Sequence, residues 1–125
     1  MNKTGVIGWF DLTIDDAENV KAYYESVVGW EPSSTDLGGY EDYCMSPPGS
    51  SEPVAGICHR RGPNESMPPQ WLIYVNVEDL DASIKKCKDL GGKIVTGPRD
   101  MGSFGKMCVI QDPAGAVAAL IQPPA

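Results

Sequence analysis

The chain matches itself at an offset of 63 residues. Ile14-Asp15-Asp16 opens a helix-like stretch that closes at Val27-Val28-Gly29, and Val77-Glu78-Asp79 opens another that closes at Leu90-Gly91-Gly92. Each stretch follows a short apolar run, Val6–Thr13 in the first half and Trp71–Asn76 in the second. A small unit used twice constrains the fold more than composition does, because a single copy cannot bury its own apolar face. It also gives every position in one half a counterpart to check in the other.

The pattern within each half predicts β-α-β-β-β. Strand 1 is expected over Val6–Thr13 and helix A over Asp16–Val28, capped by Asp15 or Asp16 and ended by Gly29. Ala17, Val20, Tyr24 and Val27 make the apolar stripe of helix A. Strands are expected at Trp30–Ser33, Tyr40–Met45 and Val54–Arg60, broken by Leu37-Gly38-Gly39 and the Pro47-Pro48-Gly49 turn. Residues 61–70 hold Gly62, Pro63, Asn64, Pro68 and Pro69 and read as a linker. The second half repeats the order with strand 5 at Trp71–Val77 and helix B at Asp79–Leu90. Strands 6, 7 and 8 follow at Lys93–Thr96, Lys106–Gln111 and Val117–Gln122. Leu80, Ile84, Cys87 and Leu90 are the expected buried stripe of helix B, with Asp81 and Lys85 paired on its outer side. Asp112-Pro113-Ala114-Gly115 is a turn. The expected class is α+β: two βαβββ modules in tandem, 1–60 and 71–125, in one structural domain. A curved mixed sheet then encloses a cleft, the usual place for a small ligand.

Charge narrows the partners. Ten Lys and Arg against 17 Asp and Glu leave a net charge of −7. Binding to a phosphate backbone is driven by Lys and Arg, so nucleic acid is not an expected partner. No run approaches the ~20 apolar residues of a membrane span, and Met1-Asn2-Lys3-Thr4 is not followed by a signal-like apolar core. Cys44, Cys58, Cys87 and Cys108 are far apart and lack CxxC spacing, as expected for reduced thiols in a cytoplasmic protein.

Strand alternation selects the side chains that face the cleft. Phe10, Leu12 and Ile14 form the helix-facing set of strand 1, leaving Trp9, Asp11 and Thr13 on the cleft side. In strand 5, Ile73, Val75 and Val77 pack on helix B and Leu72, Tyr74 and Asn76 face inward. Cys58 joins them from strand 4, and Lys106 lies near the mouth as a possible anion handle or a plain solvated lysine. The candidate ligand-binding set is therefore Trp9, Asp11, Thr13, Cys58, Leu72, Tyr74, Asn76 and Lys106. For Trp9, ligand contact and core filling stand level. For Asp11, a structural hydrogen-bond acceptor carries more weight. His59, the only histidine, falls out of phase with the cleft residues and reads as a surface or interface residue. The Gly102-Ser103-Phe104-Gly105 stretch lacks the Lys-Ser/Thr ending of a phosphate loop and reads as a flexible lid.

Three segments carry a family resemblance. Gly8-Trp9-Phe10-Asp11-Leu12-Thr13, Tyr23-Tyr24-Glu25-Ser26-Val27-Val28-Gly29-Trp30 and the final hairpin from Gly105 to Ala116 with its Asp112-Pro113-Ala114-Gly115 turn resemble the vicinal oxygen chelate superfamily. That family includes glyoxalase I, extradiol dioxygenases and bleomycin-resistance proteins, and the match is to a glyoxalase-related subgroup without a defined activity. The resemblance implies a metal held from strands 1, 4, 5 and 8, at positions that fall here on Trp9, Gly56, Leu72 and Ala119. None can ligate a metal through its side chain. The reading is therefore a metal-free, cofactor-free protein that binds a small organic molecule in an aromatic cleft, assembled as a homodimer. The alternative is a glyoxalase-type lyase or isomerase, or a dioxygenase, with an atypical metal site. Whether the chain is an enzyme stays open between the two.

Overall fold

A computed structural model describes residues 3–36 and 38–124 of the chain. Met1, Asn2, Leu37 and Ala125 lie outside the described residues. The expectations for the first residues and for the break at Leu37 fall partly on them. The fold is mixed α+β. Among the described residues the order is β1 (Ile7–Ile14), α1 (Ala17–Val27), β2 (Glu31–Asp36), β3 (Glu41–Ser46) and β4 (Ala55–His59), followed by β5 (Trp71–Asn76), α2 (Leu80–Asp89), β6 (Lys93–Asp100), β7 (Lys106–Gln111) and β8 (Val117–Gln122). The chain divides into two compact units, Phe10–Trp71 and the combination of Met1–Trp9 with Leu72–Ala125.

The internal repeat is visible in the strand register. In the unit Phe10–Trp71, β1 runs parallel to β4 with Asp11 opposite Gly56, Leu12 opposite Ile57 and Thr13 opposite Cys58. In the other unit, β5 runs parallel to β8 with Tyr74 opposite Ala119, Val75 opposite Leu120 and Asn76 opposite Ile121. Each of the three pairs shifts onto its counterpart by the same 63 residues, since 74 − 11 and 119 − 56 agree. Antiparallel neighbours complete each set: β3 beside β4 and β2 beside β3 in one unit, β7 beside β8 and β6 beside β7 in the other.

The helices begin alike and end one residue apart. Asp16 caps α1 by accepting from the Asn19 N–H, and Asp79 caps α2 by accepting from the Ala82 N–H. The left-handed residues after the helices are Gly29, at φ +88°, and Gly91, at φ +94°. Their offset is 62, so α2 is one residue shorter than α1 and Gly91, not Gly92, is the counterpart of Gly29. Glycine suits this position because it carries no Cβ to clash in the left-handed region.

Each helix covers one face of its own strands. In the unit Phe10–Trp71, Leu12, Ala17, Tyr43, Met45 and Ile57 form the core, with Ile14, Val20, Tyr24, Trp30 and Trp71 packed around it. In the other unit, Leu80, Ile84 and Cys108 are joined by Val77, Ile94, Ile110 and Leu120. Two stripe ends depart from expectation. Val27, the last residue of α1, is 61% exposed, and Leu90, the cap residue after α2, is 76% exposed. Lys85 reaches Asp89 at 3.8 Å rather than Asp81. Strands β2 and β6 are longer than expected. β2 continues to Asp36 against β3, and β6 continues through register shifts to Asp100. Residues Gly102–Phe104 form a single 3-10 turn between β6 and β7, with the Gly102 N–H donating to Asp100. All four cysteines are free thiols.

Candidate functional site

The eight expected site residues fall into both units. Asp11, Thr13 and Cys58 belong to Phe10–Trp71, and Trp9, Leu72, Tyr74, Asn76 and Lys106 to the other. In the first, Asp11 shares a row with Gly56 and Cys44, while Thr13 shares one with Cys58. Side chains on these rows point away from the core of Leu12, Tyr43 and Ile57, as alternation requires. Thr13 is buried. Burial pushes the Cys58 thiol far up, and the carboxylates of Asp11 and Asp42 add to the effect; Cys44 is raised for the same reasons. A nucleophilic cysteine needs the opposite environment, so neither thiol is poised for attack.

In the second unit Tyr74, Ala119 and Val109 lie in one row and Asn76, Ile121 and Met107 in the next. Leu72, Tyr74, Met107, Val109 and Ala119 are all buried. The Asn76 side chain lies over Gly8, whose missing Cβ would stand 3.6 Å from its Oδ1. The Asn76 backbone N–H donates to Val6 and its carbonyl accepts from Gly5, which ties the lead-in to β1 against β5. Lys106 is exposed at the foot of the β7–β8 hairpin, opposite Gln122.

The four positions of the family's metal do not fit a metal. Gly56 and Ala119 are register counterparts and carry no donor atom, Leu72 is a fully buried hydrocarbon, and the indole of Trp9 offers only an N–H. Among the described residues no group of three His, Cys, Asp or Glu side chains is arranged to hold an ion.

An apolar hollow lies elsewhere, within the unit Phe10–Trp71. Phe10, Trp30, Val54, Ala55 and Trp71 line a space of about 330 Å³. Trp30 and Trp71 belong to an aromatic cluster. Tyr24 and Trp71 meet edge to face at 5.5 Å, Trp30 and Trp71 at 5.8 Å, and Tyr24 and Trp30 lie 5.7 Å apart. The Trp71 Nε1–H donates to the Tyr24 hydroxyl at 3.0 Å. Alternation alone did not point here: Phe10 reads as helix-facing core, and Trp30 and Trp71 read as the first residues of strands. The available signal was a pair of tryptophans, Trp30 just after α1 and Trp71 at the strand start that follows the linker.

A second hollow of about 450 Å³ in the same unit is lined by Glu18, Asp36, Gly39, Tyr40, Glu41, Tyr43 and His59. His59 follows Cys58 and so turns to the face that carries Tyr43, with ring centroids 6.3 Å apart. Its side chain is mostly buried rather than at the surface. Its Nδ1 stands 3.5 Å from Asp42 Oδ1 and makes no hydrogen bond, while that same oxygen accepts from the His59 backbone N–H at 2.8 Å.

Comparison with known proteins agrees with this architecture. Residues 6–120 match the family described as Glyoxalase/Bleomycin resistance protein/Dioxygenase superfamily. The chain is 32% identical over 123 residues to "Putative glyoxylase CFP32" of Mycobacterium tuberculosis, covering 98% of this chain and 46% of that protein. It is 29% identical over 131 residues to "Anthracycline biosynthesis protein DnrV" of Streptomyces peucetius, covering 93% and 46%. The chain thus spans a little under half the length of these relatives. Among solved structures, methylmalonyl-CoA epimerase from Mycobacterium tuberculosis superposes with a TM-score of 0.54 at 18% identity, covering 100% of this chain and 94% of that one. At that identity the likeness is one of fold.

Proposed function

This chain belongs to the Glyoxalase/Bleomycin resistance protein/Dioxygenase superfamily, and we propose that within it the chain binds a small, flat, largely apolar organic molecule without a metal. The observation that carries this reading is the hollow between Phe10, Trp30 and Trp71. Its volume of about 330 Å³ suits a small ring system. Two of its walls, Trp30 and Trp71, are held in place by their edge contact and by the Trp71–Tyr24 hydrogen bond, so these rings need little ordering on binding. Flat aromatic ligands gain most from such walls. A relative named for anthracycline biosynthesis and a family named in part for bleomycin resistance are in keeping with a ligand of this kind.

A lyase, isomerase or dioxygenase reading draws support from the relative named a glyoxylase. It requires an electrophile at the reacting centre, and the side chains at Trp9, Gly56, Leu72 and Ala119 supply no ligand for one. The cleft-side residues Trp9, Tyr74 and Asn76 remain part of the proposal as a second contact surface for the same class of molecule.

The test is titration with 2-naphthol and with an anthracycline, read by tryptophan fluorescence in the intact protein and in Phe10→Ala. Phe10 is 41% exposed, so its truncation leaves the core in place. Saturable quenching that weakens about tenfold or more in Phe10→Ala is the expected result. Absence of saturable quenching in the parent protein, or equal binding by both, overturns the assignment.

A further inference from the structure

The hollow around Tyr40, Tyr43 and His59 has a chemistry unlike the tryptophan-lined one, and it does not depend on that reading. Tyr40 and His59 meet edge to face at 5.5 Å, and Tyr43 stands 6.3 Å from the same imidazole. Three rings therefore wall one space of about 450 Å³. Carboxylates surround them: Glu18, Asp36 and Glu41 line the space, and Asp42 lies behind His59. Asp36 and Asp42 are engaged with the backbone N–H groups of Gly38 and His59. The side chains of Glu18 and Glu41 take part in none of the ion pairs found among the described residues.

The chain already places two of its own cations on these rings. The Arg61 guanidinium lies over Tyr40 at 4.1 Å, and Lys21 Nζ lies over Tyr43 at 4.9 Å. These contacts show that both ring faces attract positive charge at this site, as the quadrupole of an aromatic ring requires. Two side-chain cations face four carboxylates, so the negative field is not neutralised. Tyr43 registers it: burial raises its phenol above the ordinary value, and Glu18, Glu41 and Asp42 add to the rise against the opposing effect of Lys21.

We propose that this aromatic and acidic hollow is a binding site for a small organic ammonium ion, held by the rings of Tyr40, Tyr43 and His59 and by the carboxylates of Glu18 and Glu41. A compact alkylammonium satisfies both features, since its charge pairs with the carboxylates and its carbon shell packs on the rings. A bare divalent cation does not, because it needs several converging oxygens and the described residues offer no such group. Arg61 is then an internal competitor for the Tyr40 face rather than a ligand contact.

The experiment uses tert-butylammonium chloride as probe and tert-butanol as its neutral counterpart of nearly equal shape. Ring resonances of Tyr40, Tyr43 and His59 are followed by NMR. The expected result is saturable shifts of these rings with the ammonium and none with the alcohol. Glu41→Gln and Tyr40→Leu each weaken binding about fivefold to tenfold, Tyr40→Phe retains it, and Arg61→Gln strengthens it. Glu41 and Arg61 are exposed, so their substitution does not threaten the fold. Equal response to tert-butanol, no saturable shift, or weaker binding in Arg61→Gln overturns the proposal. None of these outcomes bears on quenching at Phe10, so the two sites stand or fall separately.

Discussion

The indole N–H of Trp71 donates to the hydroxyl of Tyr24 at 3.0 Å, joining the last residue of the unit Phe10–Trp71 to its only α-helix among the described residues. The two residues are 47 apart in the chain, and their rings also meet edge to face. Tyr24→Phe keeps the ring and removes the acceptor, leaving a part-buried N–H without a partner. The expected cost is about 1–2 kcal/mol of stability. Urea denaturation of the two proteins measures it, and an unchanged midpoint shows that the hydrogen bond is replaceable by solvent. The same variant is expected to loosen Trp71 and weaken quenching by 2-naphthol.

A second expectation concerns metal. Because Gly56, Leu72 and Ala119 carry no ligating atom and Trp9 only an N–H, the purified protein is expected to hold no stoichiometric Zn, Ni, Mn or Fe. Elemental analysis and thermal unfolding with and without a chelator are the measurements. About one tightly bound ion per chain, with a melting temperature that falls on chelation, would sink the metal-free reading and direct attention to Asp11, Cys58 and His59.

The Asp15–Arg60 pair has a defined pH signature. Arg60 Nε and Nη2 donate to the two Asp15 oxygens at 3.0 Å each, while Nη1 donates to the Met67 carbonyl at 2.9 Å. Hydrogen bonding to Arg60, and then its charge, hold the Asp15 carboxyl below its ordinary value of 3.8. The folded value is therefore the lower one. The stabilisation is complete above the unfolded value and is lost as pH falls through the folded value. Asp15→Asn is expected to lower the melting temperature by a constant amount above about pH 5, with the gap closing in stronger acid. A gap that widens on acidification contradicts the assignment. Asp15 is largely solvent-exposed, so the effect is small and shrinks with added salt.

Assembly is the fourth expectation. Val6 and Ile7 in one unit, and Val27 and Val28 in the other, are each more than two-fifths exposed and offer apolar surface to a second copy. A homodimer is the expected species in sedimentation at micromolar concentration, and a single species near 13.4 kDa across that range counts against it.

What the sequence determined by itself was everything governed by short-range periodicity. The 63-residue repeat set the order of elements. The aspartate caps set where each helix begins, and alternation set which strand face meets a helix. Leu12 and Ile57 obey it in one unit, and Val77 and Leu120 in the other. The departures occur where local rules give no answer. The helix ended at Asp89 rather than Leu90 because the left-handed residue fell on Gly91, and either glycine of the pair could have taken it. Strands β2 and β6 outran their apolar patterns because pairing with β3 and β7 supplies backbone hydrogen bonds that side-chain composition does not encode. The two hollows were decided by tertiary structure alone. Phe10, Trp30 and Trp71 are separated by 20 and 41 residues, and Tyr40 and His59 by 19, so only packing onto one face brings each set together. Periodicity can say that a ring faces inward, but whether it meets a neighbour or leaves a space depends on the volumes of residues far away in the chain.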